Sequence, residues 1–127
     1  MALDLEYLAV AAWHARDRAF IYGSTKVGCA ILSDTGEVFT GCNVEHRFRS
    51  HDVHAEVNAI TTMVAAGYVR LTAVVIAADR EYFTPCGACM DWIMQFGGSA
   101  AIVAFQNQPA GELHTFSAEE LMPYYPR

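Results

Sequence analysis

The run Leu71–Ala77, which reads LTAVVIA, is the feature that most constrains the fold of this chain. It is largely apolar and rich in β-branched residues, a pattern typical of a strand that is buried on both faces. Ala100–Phe105 has the same character and predicts a second buried strand. A sheet buried on both faces requires helices on both sides. In a chain of 127 residues, this pattern predicts one domain, spanning residues 1–127, with a single core.

The remaining segments predict helices and further strands around these two. The predicted order α-β-β-α-β-α-β-β-α indicates an α/β fold with three α-β-α layers, in which a mixed five-stranded sheet carries helices on both faces. The added elements are a helix over Leu3–Phe20, a hairpin of Val27–Leu32 and Glu37–Cys42, a helix capped by Asp52 and stopped by Gly67, a helix opened by Pro85 and Cys86, an edge strand at Leu113–Phe116, and a short helix after the capping box Ser117–Glu120.

Composition narrows the classes of function. The formal net charge of −6 argues against a broad nucleic-acid surface. Four cysteines are too few for a disulfide scaffold, and the N terminus shows no charged-then-apolar leader, so we expect a cytoplasmic protein with reduced thiols. No apolar run approaches the ~20 residues that a membrane span requires, so we expect no membrane association. Cys29 and Cys42 fall in predicted strands and are interpreted as small core residues.

The most informative motif combines His54-x-Glu56 with Pro85-Cys86-x-x-Cys89, and 28 residues separate the two halves. Two cysteines three positions apart at a helix start project from nearly the same side and can bind one ion. Two thiolates and an imidazole suit zinc, and three protein ligands leave the open position of a catalytic site. Glu56 is placed to carry protons there without coordinating the ion. We therefore predict a zinc site at His54, Cys86 and Cys89, with Glu56 as the acid–base group.

Each half of this motif has a simpler interpretation. A lone His-x-Glu is more often structural, and a lone Cys-x-x-Cys can be a redox pair. A purely structural zinc would need a fourth protein ligand, for which His46, His51 and His114 are candidates, although none has close motif spacing. The combination, in this order and with both halves at predicted helix starts, is the signature of zinc-dependent nucleobase deaminases.

With both halves in view, the chain resembles the cytidine deaminase family over nearly its whole length, and its size suits the small-subunit branch. The segments that carry the resemblance are KVGCAIL (Lys26–Leu32), similar to the family's first strand; GCNVE (Gly41–Glu45), similar to its ribose-binding segment; TPCGAC (Thr84–Cys89), similar to its second zinc motif; and Leu121–Pro123, similar to its C-terminal LLP. The resemblance implies a cytidine deaminase-like fold, a homotetramer with active sites at subunit boundaries, and a place in pyrimidine salvage.

The resemblance also implies a reaction and a set of substrate-binding residues. The reaction is hydrolysis of a cyclic amidine C–N bond, in which water replaces the amino group at C4 of a cytosine nucleoside and ammonia leaves. The implied zinc ligands and proton carrier are those predicted above. Asn43 and Glu45 would bind sugar hydroxyls, and the backbone of Ala55 would help to hold the pyrimidine ring. The partner implied is a small nucleoside-like molecule rather than a nucleic acid.

Two departures from the family lie next to the metal motif. His54 stands where most small-subunit members have cysteine, and Val57 stands where they usually carry arginine. Three thiolates on Zn²⁺ leave a formal charge of −1, which a neighbouring arginine can offset, whereas two thiolates and a neutral imidazole leave zero. We therefore predict a more neutral site that works without the arginine.

Other departures concern the substrate. Thr25 replaces a phenylalanine near the base, and Met90-Asp91 replaces the usual Arg-Gln after the last cysteine. The stretch from His46 to His51, with Arg47 and Arg49, is basic where the family has small and polar residues. We favour an exposed loop with solvated side chains, and the alternative is a recognition element for an acidic or bulky pyrimidine derivative. A further open question is whether the aromatic pair at 124–125 closes over the ligand.

The favoured function is deamination of cytidine, deoxycytidine or a close analogue. The enzyme alternatives are an aminonucleoside-antibiotic deaminase of the blasticidin S type and a deoxycytidylate-type deaminase, which the stretch HAEVNAI also resembles. The alternative from another class is a zinc- or nucleoside-binding protein without turnover. Glu56 counts against that class, because a binding module needs no proton carrier. A polynucleotide deaminase fits poorly with an acidic chain that lacks a basic tail.

Overall fold

The computed structural model describes residues 3–126 and confirms the predicted order of elements. A 3-10 turn at Arg49–His51 is the one addition within that range. The helices and strands are α1 (Leu5–Arg16), β1 (Val27–Ser33), β2 (Val38–Cys42), α2 (Ala55–Ala65), β3 (Leu71–Ala78), α3 (Gly87–Gly97), β4 (Ile102–Gln106), β5 (His114–Ser117) and α4 (Ala118–Leu121). The helices of residues 3–126 lack the length and apolarity needed to cross a bilayer.

The five strands form one mixed sheet with the order β2-β1-β3-β4-β5. β3 and β4 are parallel, and the other neighbours are antiparallel. β3 is the central strand and is buried along its whole length except at Thr72, which confirms the prediction made from its apolar run. The turn between β1 and β2 ends at Gly36, whose φ of 94° lies in the left-handed region that favours glycine.

Helices cover both faces of the sheet, as predicted. The side chains of β1 alternate between the faces: Cys29 and Ile31 join the core cluster under α2 and α3, and Ala30 joins the cluster under α1. Gly28 allows α1 to lie unusually close to the sheet, because a Cβ atom there would be 1.9 Å from the Ala12 carbonyl oxygen. The molecule is therefore a three-layer α-β-α structure.

The site is positioned by the N-terminal ends of α2 and α3, which pack against each other on one face of the sheet. α2 also lies directly on β2, because a Cβ atom at Gly41 would be only 2.4 Å from the Ala59 nitrogen. α3 follows β3 after a loop that runs from 79 to 86. The two halves of the sequence motif, which are far apart in the chain, therefore begin neighbouring helices.

Several predicted boundaries were wrong by one or more residues, and three of the differences concern the helices near the site. α1 ends at Arg16 rather than at Phe20, and the following segment instead pairs with the stretch after β2 through a bridge between Phe20 and Val44. α2 is capped by His54 and not by Asp52, whose carboxylate accepts hydrogen bonds from the His46 backbone and the Arg49 guanidinium. α3 starts at Gly87, after the predicted opening residues Pro85 and Cys86, and Cys86 is its N-cap.

Candidate metal centre and active site

The structure brings the three predicted zinc ligands together. His54 and Cys86 occupy the N-cap positions of α2 and α3, and Cys89 lies in the first turn of α3. Their ligand atoms all lie within 4.8 Å of one another. The His54 Nδ1 atom is 3.3 Å from the Cys89 Sγ atom and 3.4 Å from the Cys86 Sγ atom. A pattern read from the sequence therefore corresponds to one compact group of donors.

These distances fit a tetrahedral zinc ion. With Zn–S of about 2.3 Å and Zn–N of about 2.0 Å, a tetrahedron separates its nitrogen and sulfur ligands by roughly 3.5 Å. Among residues 3–126, this is the one group of three or more potential ligands that lies close enough to hold a metal, and it has three members. His46, His51 and His114 are outside it, so the fourth position is left to a non-protein ligand, as in catalytic sites.

The local electrostatics favour a bound cation. Neither N-cap side chain makes a capping hydrogen bond to its own helix, so the imidazole and the thiol are free for another partner. Burial, followed by the neighbouring Glu56 carboxylate and the Cys86 thiol, raises the pKa of the Cys89 thiol well above its ordinary value. The buried thiol is therefore ionised only when a positive charge compensates for its lost hydration, which a metal ion provides.

Glu56 is the buried carboxyl group of the site. It lies in the first turn of α2, and only 3% of its surface is exposed. Burial raises the pKa of Glu56, and its own backbone, His54 and the Cys89 thiol partly oppose this increase. A carboxyl group with a raised pKa can both accept and return a proton near neutral pH.

An open cavity of about 260 Å³ lies in front of these groups. His54, Cys86 and Glu56 form one part of its wall, and the predicted substrate-binding residues Asn43, Glu45 and Ala55 are in the wall as well. The other lining residues are Thr25, Val27, Arg49, Asp52, Val53, Phe83 and Thr84. The predicted site residues therefore share one cavity, apart from Cys89, which is buried behind it.

Asn43 and Glu45 are held in place by backbone groups. The Asn43 Oδ1 atom accepts a hydrogen bond from the Val27 N–H at 2.8 Å, and its Nδ2 atom donates to the Thr25 carbonyl oxygen at 3.0 Å. The Glu45 Oε1 atom accepts hydrogen bonds from two successive backbone N–H groups, at positions 22 and 23, each at 2.7 Å. Both side chains are thus fixed before any ligand arrives.

Sequence reasoning missed five residues of the wall: Val27, Asp52, Val53, Phe83 and Thr84. The last four lie within three residues of a predicted zinc ligand, and that proximity is the signal that could have identified them. The C-terminal aromatic residues do not line this cavity. Tyr124 is 95% exposed, and the Tyr125 hydroxyl donates a hydrogen bond to Asp91 on α3.

The basic loop divides into two kinds of residue. Arg49 contacts two carboxylates of the cavity wall, whereas Arg47 is exposed and outside the wall. The rings of His46, Phe48 and His51 contact one another, with centroids 5.1 to 6.3 Å apart. Arg49 is more than half exposed, as the prediction of an exposed loop expects, but its guanidinium also contacts both carboxylates.

Comparisons with known proteins agree with this geometry. The family model described as the cytidine and deoxycytidylate deaminase zinc-binding region matches residues 2–106. Over 123 residues the chain is 31% identical to a probable cytidine deaminase of Dictyostelium discoideum, with 94% of this chain and 82% of the relative covered. It is also 31% identical to the cytidine deaminase of Sporosarcina psychrophila, with 95% and 90% covered.

Solved structures show the same fold. The crystal structure of a cytidine deaminase from Burkholderia pseudomallei superposes with a TM-score of 0.88 at 30% identity, and the match covers 96% of this chain and 98% of that one. The shared fold, the matched family region and the His-Cys-Cys group that fits zinc lead to one conclusion. The chain belongs to the cytidine and deoxycytidylate deaminase family.

Proposed function

We propose that this chain is a zinc-dependent hydrolase that converts cytidine, deoxycytidine or a close cytosine-nucleoside analogue to its uracil form and releases ammonia. One observation carries the proposal: the group of His54, Cys86 and Cys89 adjoins the buried carboxyl group of Glu56 at a cavity that also contains Asn43. The names of the relatives described above, all cytidine deaminases, support the choice of substrate.

The chemistry divides between the metal and the protein. A zinc ion held by His54, Cys86 and Cys89 supplies a Lewis acid that makes water nucleophilic near neutral pH. Glu56 accepts a proton from the attacking water and passes it to the ring nitrogen N3. It then takes the proton of the new hydroxyl at C4 and delivers it to the departing amine, as the C4 carbonyl forms and the C–N bond breaks. Each turnover consumes one water and releases one ammonia, and Glu56 ends as it began. Its burial and raised pKa suit this exchange of protons.

The substrate is held by groups that the fold has already positioned. Asn43 and Glu45 bind the sugar through the hydrogen-bonding positions that their backbone contacts leave free. Ala55 is the first residue of α2, where a backbone N–H has no partner within the helix, and its peptide can hold the pyrimidine ring. Thr25 lines the cavity where the family commonly has an aromatic ring, so Phe83 is the aromatic residue left beside the base.

We also infer that residues 1–127 act as one deaminase domain, assembled as a homotetramer in the cytoplasm and serving pyrimidine salvage. Large exposed apolar side chains support self-association: Phe20, Tyr22 and Phe48 are each about 60% exposed. Sedimentation velocity of the zinc-loaded protein at micromolar concentration tests the assembly. A single species with the mass of the monomer would contradict it.

The activity test uses purified protein whose zinc content has been measured. Cytidine, deoxycytidine, their monophosphates and blasticidin S are supplied separately while ammonia release is followed. We expect turnover of the two nucleosides. Preference for a monophosphate would instead indicate a deoxycytidylate-type deaminase, and preference for blasticidin S an antibiotic deaminase. Zinc-loaded protein that turns over none of these compounds would be a binding protein.

A further inference from the structure

Arg49 links two carboxylates in the cavity wall. Its Nη2 atom lies 3.0 Å from the Glu45 Oε2 atom, and its Nε atom donates to the Asp52 Oδ2 atom at 2.8 Å. Asp52 is anchored in turn, because its Oδ1 atom accepts the His46 backbone N–H at 2.7 Å. The Arg49 side chain is 54% exposed, whereas those of Glu45 and Asp52 are 11% and 15% exposed. The guanidinium therefore spans the outer side of two largely buried acids.

This contact limits what Glu45 can still accept. A carboxylate offers about four acceptor positions, two on each oxygen. The Oε1 atom already accepts two backbone N–H groups, from Tyr22 and Gly23, and the Oε2 atom is ion-paired with the Arg49 guanidinium. Oε2 is therefore the Glu45 atom left to accept a hydrogen bond from a ligand.

Asn43 has a free hydrogen-bond donor that complements the Glu45 acceptor. Its amide contains two N–H groups, of which one donates to Thr25, so one N–H is available to a ligand. Val44 between the two residues pairs with Val53 in an extended bridge, so the side chains of Asn43 and Glu45 project to the same side. The free Asn43 N–H and the Glu45 Oε2 atom suit a single hydroxyl group, which accepts from Asn43 while donating to Glu45.

We propose that Arg49 is a positioning residue for substrate specificity, which fixes Glu45 so that it recognises a single sugar hydroxyl of the nucleoside. This inference rests on the proposed function, because it takes a cytosine nucleoside as the ligand of the cavity. Asn43 and Glu45 make no hydrogen bond to the other sugar hydroxyl. A lysine cannot replace Arg49 fully, because a single ammonium lacks the planar fork that contacts both carboxylates.

Binding is measured in the Glu56→Gln background, where a nucleoside is not consumed during the titration. Zinc-loaded protein is titrated calorimetrically with cytidine, 2′-deoxycytidine and 3′-deoxycytidine. We expect one deoxy analogue to bind like cytidine and the other, which lacks the recognised hydroxyl, to bind about tenfold more weakly, the scale for a hydrogen bond to a charged group. The same three ligands are then titrated against Glu56→Gln protein that also carries Arg49→Gln.

Arg49→Gln should raise the dissociation constants of cytidine and the tight-binding analogue about tenfold. The dissociation constant of the weak-binding analogue should change by less than twofold, as expected when two changes remove one interaction. Arg49→Lys should raise the dissociation constants of the same two ligands by a smaller factor. This variant tests the proposal even if the glutamine variant folds poorly. Arg47→Gln is the matched control, because it removes the same charge from an exposed position of the same loop. It should leave all three dissociation constants unchanged.

The outcomes separate this inference from the proposed function. Three outcomes would overturn the role of Arg49. Arg49→Gln could raise all three dissociation constants equally, it could leave all three unchanged, or Arg47→Gln could have the same selective effect. If the nucleosides bind as expected but wild-type protein releases no ammonia from cytidine, the proposed reaction fails and the role of Arg49 stands. If no cytosine nucleoside binds, both are wrong.

Discussion

The His54 Nδ1 atom lies 3.3 Å from the Cys89 Sγ atom, although 35 positions separate the two residues in the chain. The contact exists because α2 and α3 begin side by side on the same face of the sheet. Neither helix holds all the donors, so the metal group is a product of tertiary packing. The metal and the fold should therefore stabilise each other.

Removal of the metal should lower both activity and stability. Zinc binds the folded arrangement of His54, Cys86 and Cys89, so the free energy of unfolding should rise by about 4 kcal/mol when free zinc is a thousandfold above its dissociation constant. Chelator-treated protein should release no ammonia and should melt at a lower temperature. Zinc content, calorimetric melting and activity after zinc is restored check this expectation. Full turnover by protein with less than one-tenth of a zinc ion per chain would contradict it.

Glu56→Gln should abolish turnover without removing zinc. The amide keeps the size of the side chain but cannot accept and return a proton, and general acid–base catalysis contributes about 10²–10⁴ in rate. Zinc content per chain should match that of the wild type, because Glu56 is outside the ligand group. Ammonia release and metal analysis on the same sample provide the test. Wild-type turnover would refute the assigned proton carrier, and loss of zinc would indicate that Glu56 is a ligand.

His54→Cys should impair activity unless Val57→Arg accompanies it. The single change places a third thiolate on the metal and gives the site a formal charge of −1, which makes water there harder to deprotonate. Val57 is half-buried in the first turn of α2, close enough in the chain for an arginine to offset that charge. We expect a loss of roughly tenfold or more in kcat/KM for the single variant. The double variant should recover most of that loss.

Val57→Arg alone is the control for this pair. In the presence of His54 the added cation has no excess negative charge to offset, so it should not raise activity. Zinc content must be equal in all variants for the comparison to report on charge. Equal activity of the single and double variants would show that charge matching does not explain the two departures from the family.

The features that could be predicted from the sequence are those determined by the pattern of residue types in short segments. The burial of β3 follows from a run of apolar residues, and the capping box at Ser117 is present in the structure with both of its hydrogen bonds. The zinc ligands could be predicted because zinc constrains residue type and spacing strongly. For β3 and the capping box the information lies within a few neighbouring residues, and for the zinc site it lies in two short motifs taken together.

The rest depends on contacts between distant segments. Asp52 is a good N-cap by residue type, yet its carboxylate accepts hydrogen bonds from His46 and Arg49, and Val53 pairs with Val44. The N-cap is therefore His54, and α2 starts at Ala55. Arg47 and Arg49 are the same residue type two positions apart, and the folded loop places the second against Glu45. Which cation of a basic loop enters the site is decided by where the carboxylates lie in three dimensions.

Gly41→Ala should disrupt the packing of α2 on β2, destabilise the fold and thereby weaken zinc binding. A Cβ atom at Gly41 would lie 2.4 Å from the Ala59 nitrogen and 2.9 Å from the Ala55 carbonyl oxygen, and both are backbone atoms of α2. The helix must therefore shift away from β2, at a cost of about 1–3 kcal/mol in the free energy of unfolding. Since His54 caps α2, the shift also displaces the first zinc ligand.

Gly87→Ala is the matched control for this change, because a Cβ atom at Gly87 would have no atom within 4 Å, and alanine favours the helix that begins there. Gly41→Ala should lower the melting temperature by several degrees and raise the dissociation constant for zinc, whereas Gly87→Ala should leave the melting temperature unchanged or higher. Calorimetric melting and competition with a zinc-binding dye measure the two quantities. If Gly41→Ala melts like the wild type, the close contact between β2 and α2 does not hold the metal group in place.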